Sequence, residues 1–443
     1  MTRIIMEQVF GNPTADIFKH AESIFVSPEG PDESDHENDS FTPKKLPSLI
    51  AFVLTLFLPI ISLAATTNTQ VVAWGAGKII NDKSTYNWGQ SIIPASLTNA
   101  VQVAGGQLHS LALKADGSLA AWGDDSAGET DVPPGTDYVA IACGADHSLA
   151  LQNNGAVVAF GDSFFDQTDV PSGLSNVVAV ACGWYHSMAL KSDGTVVAWG
   201  AGTNLEPVGT TPNYGQTIVP AGLSNVVAIA GGGYHGMALK TDGTMVEWGD
   251  QASWGGDIPP GLSNVVAIAT GAEHNVALLA SGTLAVWGEN TYGQTNIPAG
   301  LSNVVAVAAG AWHTLALKTD GTVVAWGAGI GSNTNVDFGQ NIVPTGLSNV
   351  VQVAAGWVHS LVLVGSGRPV LAAPLTAGGF STNGFDVTTP TRNGRVYQLE
   401  YANSLTSQAW TTLPLQFGTG GIIQLNDPAA AASSQRFYQV SRW

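Results

Sequence analysis

Cysteine is nearly absent: the 443 residues contain two, Cys143 and Cys182, each in the phrase Ala-Cys-Gly. No disulfide framework can be built from them, so outside the cell such a chain must rely on a large apolar core. Positive charge is scarce as well. Fifteen Lys and Arg face 33 Asp and Glu, for a formal net charge of -18, although charged residues make up only 11% of the chain. An acidic surface repels phosphate backbones and excludes nucleic acid as an expected partner. The apolar fraction of 45% supports a sizeable core, and the length allows two or three domains.

Long hydrophobic runs are confined to one place. Residues 44–65, KKLPSLIAFVLTLFLPIISLAA, have two lysines, an apolar run, then small residues at Ser62, Ala64 and Ala65. This order predicts a signal peptide over 44–65, cleaved near Ala64 or Ala65, and a secreted or cell-surface protein. A single membrane-spanning helix is the competing reading. Pro47 and Pro59 interrupt a long helix and no basic stop follows, so no membrane span is expected after signal cleavage. Residues 1–43, including SPEGPDESDHENDS, read as a disordered acidic extension, or as the product of a start codon placed too early.

What the chain does have is repetition. Seven histidines, His109, His147, His186, His235, His274, His313 and His359, each precede a segment like SLALKxDG, mostly 38 or 39 residues apart, with two longer intervals of 49 and 46. Thirteen residues after the first six stands an aromatic-Gly pair, at Trp122, Phe160, Trp199, Trp248, Trp287 and Trp326; a seventh, Trp74, precedes the first histidine. A period of this length filled with short β segments predicts an all-β, seven-bladed β-propeller over residues 66–367. LSNVVAIA, SLALK and TVVAWG read as three strands, and GQTxVP as a short fourth. The first unit begins at its third strand, while the last runs into Pro369 and lacks the Trp. Residues 71–75 are therefore expected beside 360–364, giving closure by both termini.

The trio His186, Ser187 and Asp193 resembles a hydrolase site until it is seen repeated around a ring. Catalysis needs one constellation whose members differ in role. Each histidine is read instead as fixing its turn through a neighbouring backbone group, and Asp116, Asp193, Asp242 and Asp320 as hairpin-turn residues. The aromatics before glycine are read as wedges between blades. Gly105, Cys143, Cys182, Gly231, Thr270, Ala309 and Ala355, four before each histidine, are small enough to crowd around an axis, and the cysteines are read as compact fillers, with a bridge between blades left open. No cofactor, metal site or catalytic residue is expected.

From Arg368 the period is lost. GFDVTTP, GRVYQLEYANSL, AWTTLPLQF, GIIQLNDP and RFYQVSRW predict five strands of a small antiparallel β-module over 368–443. It looks like the terminal YxLEYxxSL…W…FYxV modules of secreted bacterial proteins.

The pattern GxxHSLALKxDGTVVAWGxNxxGQxxVP resembles the regulator of chromosome condensation repeat family of seven-bladed propellers. In its units VVAWG, GQTxVP and AIAAGxxHSLALK the chain is also similar to secreted bacterial propeller-type β-lactamase inhibitors. That likeness implies a ring of contact residues just before each histidine: Leu108, Asp146, Tyr185, Tyr234, Glu273, Trp312 and Val358, with Trp184 and Trp357 one place earlier. Independently of any likeness, a G-x-x-H turn exposes its two middle residues. Trp184, Tyr185, Tyr234, Trp312 and Trp357, with Asp146 and Glu273, are thus the expected binding residues at one mouth. Rings folded over the mouth as a plug are the alternative. Three long loops, 76–90, 201–216 and 328–340, carry Trp88, Tyr214 and Phe338 and offer a second recognition surface or neutral length drift.

The expected function is a monomeric, non-enzymatic, exported module that binds a protein or cell-surface glycan. A structural or adhesion module of the cell envelope is one alternative. A polysaccharide-acting enzyme is another, and would need two carboxylates about 5–9 Å apart at one mouth.

Overall fold

The computed structural model describes residues 69–78, 86–203, 213–250, 256–329, 336–365, 377–381, 384–391, 396–403, 410–419, 421–430 and 436–442. The expected acidic extension (1–43), the expected signal peptide (44–65) and Pro369 lie outside the described residues. Among the described residues no helix is long and apolar enough to cross a membrane.

Seven sheets of three antiparallel strands carry the repeat. Blade 1 contains β2 (Ala100–Gly105), β3 (His109–Lys114) and β4 (Leu119–Gly123). Blade 2 follows with β5 (Tyr138–Cys143), β6 (His147–Gln152) and β7 (Val157–Gly161), and blade 3 with β8 (Val177–Cys182), β9 (His186–Lys191) and β10 (Val196–Gly200). Blade 4 is β11 (Val226–Gly231), β12 (His235–Lys240) and β13 (Met245–Gly249); blade 5 is β14 (Val265–Thr270), β15 (His274–Leu279) and β16 (Leu284–Gly288). Blade 6 is β17 (Val304–Ala309), β18 (His313–Lys318) and β19 (Val323–Gly327). The last sheet joins β20 (Val350–Ala355) and β21 (His359–Val364) to β1 (Gln70–Gly75), with Trp74 opposite Ser360. Gln352 on β20 then bonds the backbone of Val103 on β2, accepting from its N–H at 3.2 Å and donating to its carbonyl at 3.3 Å.

Local chemistry explains the strand starts. The Asn of LSN is left-handed, with φ 57° at Asn303, a conformation Asn tolerates better than most residues. Two residues on, the inner strand bulges in every blade, as between Val304 and Ala306, which adds the twist a blade needs. The middle strand is buried on both faces, and so reads HTLALK rather than alternating polar and apolar residues. The six tryptophans before glycine are buried, whereas the smaller Phe160 is only half-buried.

The expected fourth strand does not form. In GQTIVP the chain turns instead: Ile218 N donates to Gly215 O at 2.9 Å and Leu223 N to Pro220 O at 3.1 Å. These local bonds occupy the backbone groups a ladder would use, and the proline has no N–H to offer.

Beyond the propeller, two more sheets form: β22 (Ala377–Ser381), β23 (Gly384–Pro390) and β26 (Ile422–Asp427); and β25 (Thr411–Phe417), β24 (Val396–Ala402) and β27 (Phe437–Arg442). That is six strands among the described residues, where five were expected; AGGFS of β22 has no alternation to betray it. Phe385, Tyr397 and Tyr438 anchor a separate core, where the Tyr438 hydroxyl donates to Asp427 at 2.9 Å and Arg436 pairs with the same carboxylate. Leu415 N donates to Ala280 O at 2.9 Å, tying β25 to the hairpin of blade 5.

Candidate functional site

Every G-x-x-H turn closes on itself. Gly183 N donates to His186 O at 2.9 Å, and a Cβ on Gly183 would stand 2.0 Å from His186 Cε1, so only glycine fits beneath the imidazole. The expected imidazole-to-backbone bond is corrected by the structure: the partner is a side chain of the next blade. His109 Nε2 lies 2.9 Å from Ser148 Oγ, His147 3.0 Å from Ser187, His274 2.9 Å from Thr314, His313 2.9 Å from Ser360 and His359 2.9 Å from Ser110. His235 meets Asn275 Oδ1 at 2.8 Å. Where the hydroxyl's one proton goes to a carbonyl, as from Ser187 to Gln167 O at 2.8 Å, the imidazole must be the donor and carries its proton on Nε2.

One junction lacks this latch. At the blade 3–4 boundary Gly236 holds the serine position, and His186 Nε2 has no partner among the described residues. The Trp248 indole takes the room: a Cβ on Gly236 would lie 2.6 Å from its ring. Burial holds the histidines neutral, lowering His109 to about 4 and His147, His186, His274, His313 and His359 to about 3. Asp193 belongs to the opposite end of its strand, where its Oδ1 accepts from Thr195 N at 3.0 Å. The trio His186, Ser187 and Asp193 is therefore no single site: Ser187 latches His147 of the preceding blade, His186 is unlatched among the described residues, and Asp193 shapes a turn.

A buried glutamine connects this scaffold to the mouth. The Gln carbonyl accepts the wedge indole N–H: Trp122 to Gln90 at 2.8 Å, Trp199 to Gln167 at 3.0 Å, Trp326 to Gln294 at 2.9 Å, and Trp74 to Gln340 at 2.8 Å. Its side-chain oxygen accepts the backbone N–H two residues earlier, at Trp88, Phe165, Tyr214, Tyr292 and Phe338. Each glutamine so fixes an aromatic residue at the rim.

The rings at this rim form a continuous network. Trp184 and Trp357, from blade 3 and from the last sheet, meet with centroids 5.1 Å apart and line the central channel, a cavity of about 370 Å³ whose walls include Gly105, Cys143, Cys182, Gly231, Thr270, Ala309 and Ala355. Both cysteines are free. Outward from this pair, Trp184 touches Tyr234 at 5.1 Å and Trp357 touches Trp312 at 5.7 Å, while Tyr185 lies 6.1 Å from Tyr234. All of these side chains are half-buried, chiefly against one another. Leu108 is half-buried too, but Val358 is fully buried and cannot form part of a contact ring.

The described parts of the long loops add rings to the same surface. Tyr214 packs on Tyr234 at 4.9 Å, and Phe338 on Tyr86, which reaches Trp357 at 6.3 Å. Phe165, on Tyr185 at 5.2 Å, and Tyr292, on Trp312 at 5.8 Å, are further rim aromatics missed in the sequence; their place two residues before the Gln was the available signal. Trp88 is exposed.

Carboxylates flank these rings, and most of them too were missed. The residue after each aromatic-Gly pair donates its backbone N–H to the residue before the histidine: Asp162 to Asp146 at 2.7 Å, Asp250 to Tyr234 at 3.0 Å, Glu289 to Glu273 at 2.8 Å, and Asp124 to Leu108 at 2.9 Å. Asp146 is thus set against Asp162, and Glu129 and Asp124 also act on its charge. Burial, then these like charges, raises Asp146 to about 6; burial, then Glu289, raises Glu273 to about 7. Tyr234 rises to about 12, mainly by burial, with Tyr185, Tyr214, Glu273 and Asp250 adding to it. Among the described residues no group of His, Cys, Asp and Glu could hold a metal ion.

Known proteins share this architecture. The regulator of chromosome condensation (RCC1) repeat matches residues 100–129, 138–167, 177–204, 265–294 and 304–336. No curated protein sequence matches the chain. Among solved structures, Prp20p from Saccharomyces cerevisiae, described with its binding to Gsp1p and histones, is 21% identical, with 68% of this chain and 93% of that chain covered and a TM-score of 0.54. Yeast RCC1 (Prp20) bound by Kap60 gives 21% identity, 75% and 97% coverage and a TM-score of 0.52. At that identity the likeness speaks for fold alone. The fold of this chain is that of a β-propeller, and five of its segments match the regulator of chromosome condensation repeat.

Proposed function

We propose that this propeller is an exported, non-enzymatic binding module that grips a protein or cell-surface ligand with its aromatic mouth. The observation that carries the reading is the single network of half-buried rings around Tyr185, Tyr234, Trp312 and Trp357. Large rings gathered on an otherwise polar surface are the usual anchors of recognition, because they give up apolar area to a partner at low cost in side-chain entropy. RCC1-repeat propellers bind proteins, Prp20p with Gsp1p and histones among them, which supports a protein ligand here. Export rests on the signal pattern at 44–65, and mass spectrometry of the mature N-terminus tests it; a chain that still begins at Met1 removes the secreted half of the proposal.

The binding half is tested by immobilising the protein and measuring what it retains from culture supernatant of the source cells. Replacing Tyr185, Tyr234 and Trp312 together with Ala is expected to abolish retention while leaving the fold intact. Undiminished retention rejects the mouth as the binding surface.

A further inference from the structure

We propose that the mouth takes a basic segment of a protein partner, with an arginine side chain resting on Tyr185 and Tyr234 between the carboxylates of Asp146 and Asp162 on one side and Glu273 on the other. The inference rests on the binding role just proposed and names the partner's chemistry. Three observations carry it. The two phenol rings are 6.1 Å apart and tilted by 40°, two π faces at the centre of the rim. Carboxylates adjoin both rings, because the backbone register sets Asp162 against Asp146 in the blade beside Tyr185, and Glu289 against Glu273 in the blade beside Tyr234. None of Asp146, Asp162, Glu273 and Glu289 forms an ion pair among the described residues.

The distribution of cations points the same way. Each middle strand begins at the mouth with its histidine, and in four blades it ends at the far rim with a lysine: Lys114, Lys191, Lys240 and Lys318. Those lysines are tied to hairpin aspartates, Lys191 to Asp193 at 3.0 Å and Lys240 to Asp242 at 3.1 Å. Four cations are therefore held about 17 Å away, one strand length, from the acids at the mouth. A half-buried tyrosine face beside a carboxylate favours a guanidinium over any neutral group, since ring quadrupole and charge act in the same direction on a weakly hydrated cation. An acidic partner would meet repulsion at the same place.

The test titrates the full chain with an oligoarginine peptide, and with the same peptide carrying citrulline at every position, following tryptophan fluorescence and peptide anisotropy. Oligoarginine is expected to bind saturably, more weakly as salt rises, and about tenfold or more tighter than the citrulline peptide. The pair Asp146→Asn and Glu273→Gln, whose amides copy the protonated carboxyls, should weaken it about tenfold, whereas Asp193→Asn with Asp242→Asn, the same change in formal charge at the far rim, should weaken it less than about twofold. Equal binding of the two peptides overturns the proposal, and so does equal weakening by the two pairs. If either occurs while the triple alanine variant still loses its retained ligand, the binding mouth stands and the basic partner falls; if retention is also unaffected, both fall.

Discussion

The two rims of this propeller are made from the ends of the same strands, and they differ in kind. At the hairpin rim one device recurs: Lys191–Asp193, Lys240–Asp242 and Lys318–Asp320 pair at 3.0 to 3.1 Å, and each aspartate accepts the following threonine N–H at 3.0 Å. At the mouth the paired positions read Leu108 with Asp124, Asp146 with Asp162, Tyr185 with Ala201, Tyr234 with Asp250, Glu273 with Glu289, and Trp312 with Ala328. The backbone bond is constant there and the side chains are not. What every blade shares is therefore what the sheet and its junctions require, and what differs at a constant backbone position is free to meet a ligand.

The largest effect that would sharpen this contrast comes from the shared scaffold. Trp326→Ala removes a buried wedge and its bond to Gln294 O, and should cost about 4 kcal/mol in chemical denaturation. A loss below about 1 kcal/mol would mean that the wedges do not hold the blades together. Acid should act next most strongly. The buried histidines have their proton affinity lowered from 6.5 to about 3 or 4, so their stabilisation is complete above pH 6.5 and is withdrawn as pH falls toward 3. Asp146, Glu247 and Glu273, raised by burial to about 6, 7 and 7, oppose this by stabilising the fold as they protonate. They are fewer and less deeply buried than the histidines, so the denaturation midpoint is expected to fall between pH 6.5 and 4. A midpoint that rises over that range would show that the carboxylates dominate.

Much of the scaffold was legible in the sequence because it is repeated. The seven histidines, the Trp-Gly pairs and the small residues four before each histidine all mark real positions, and the truncated first unit pointed β1 to its place beside β21. The latch was not legible, because it joins His109 to Ser148 across a blade boundary, and no local pattern shows which blade face meets which. The fourth strand was overread: GQTxVP has strand-like residues, but its backbone groups are used within the turn. At the mouth turn geometry pointed to the middle residues of G-x-x-H but overstated their exposure: Tyr185, Tyr234 and Trp312 are half-buried, and Ala145, Ala272, Ala311 and Val358 are buried. Their neighbours Asp162, Asp250 and Glu289 were missed because they follow Trp-Gly or Phe-Gly, a stretch that reads only as the end of a strand. Phe165 and Tyr292 escaped since their role depends on the Gln two residues on, whose side-chain bond cannot be read from spacing.

The mouth and the hairpin rim can also be set against each other at smaller energies. Replacing Tyr185, Tyr234 and Trp312 with Ala should cost no more than about 1 kcal/mol at each site, because these rings are half-buried and make no backbone bond through their side chains among the described residues. The expected signature is loss of ligand with little loss of stability; stability lost together with the ligand would make the rings core residues.

Asp193→Asn is the smallest change and the most pointed one. Bonds from Thr195, then the Lys191 ammonium, lower the Asp193 carboxyl to about 2, so whatever it adds to stability is present above its unfolded value near 4 and disappears as pH falls through 2. At neutral pH the amide oxygen still accepts from Thr195 N, and the lost attraction to Lys191 is one between solvent-exposed groups. The midpoint of denaturation at pH 7 should not move measurably, and ligand capture should be that of the unaltered chain. If capture falls instead, the repeated rim is the one that meets the partner, and variation at the mouth would have to be explained by packing around Trp184 and Trp357 alone.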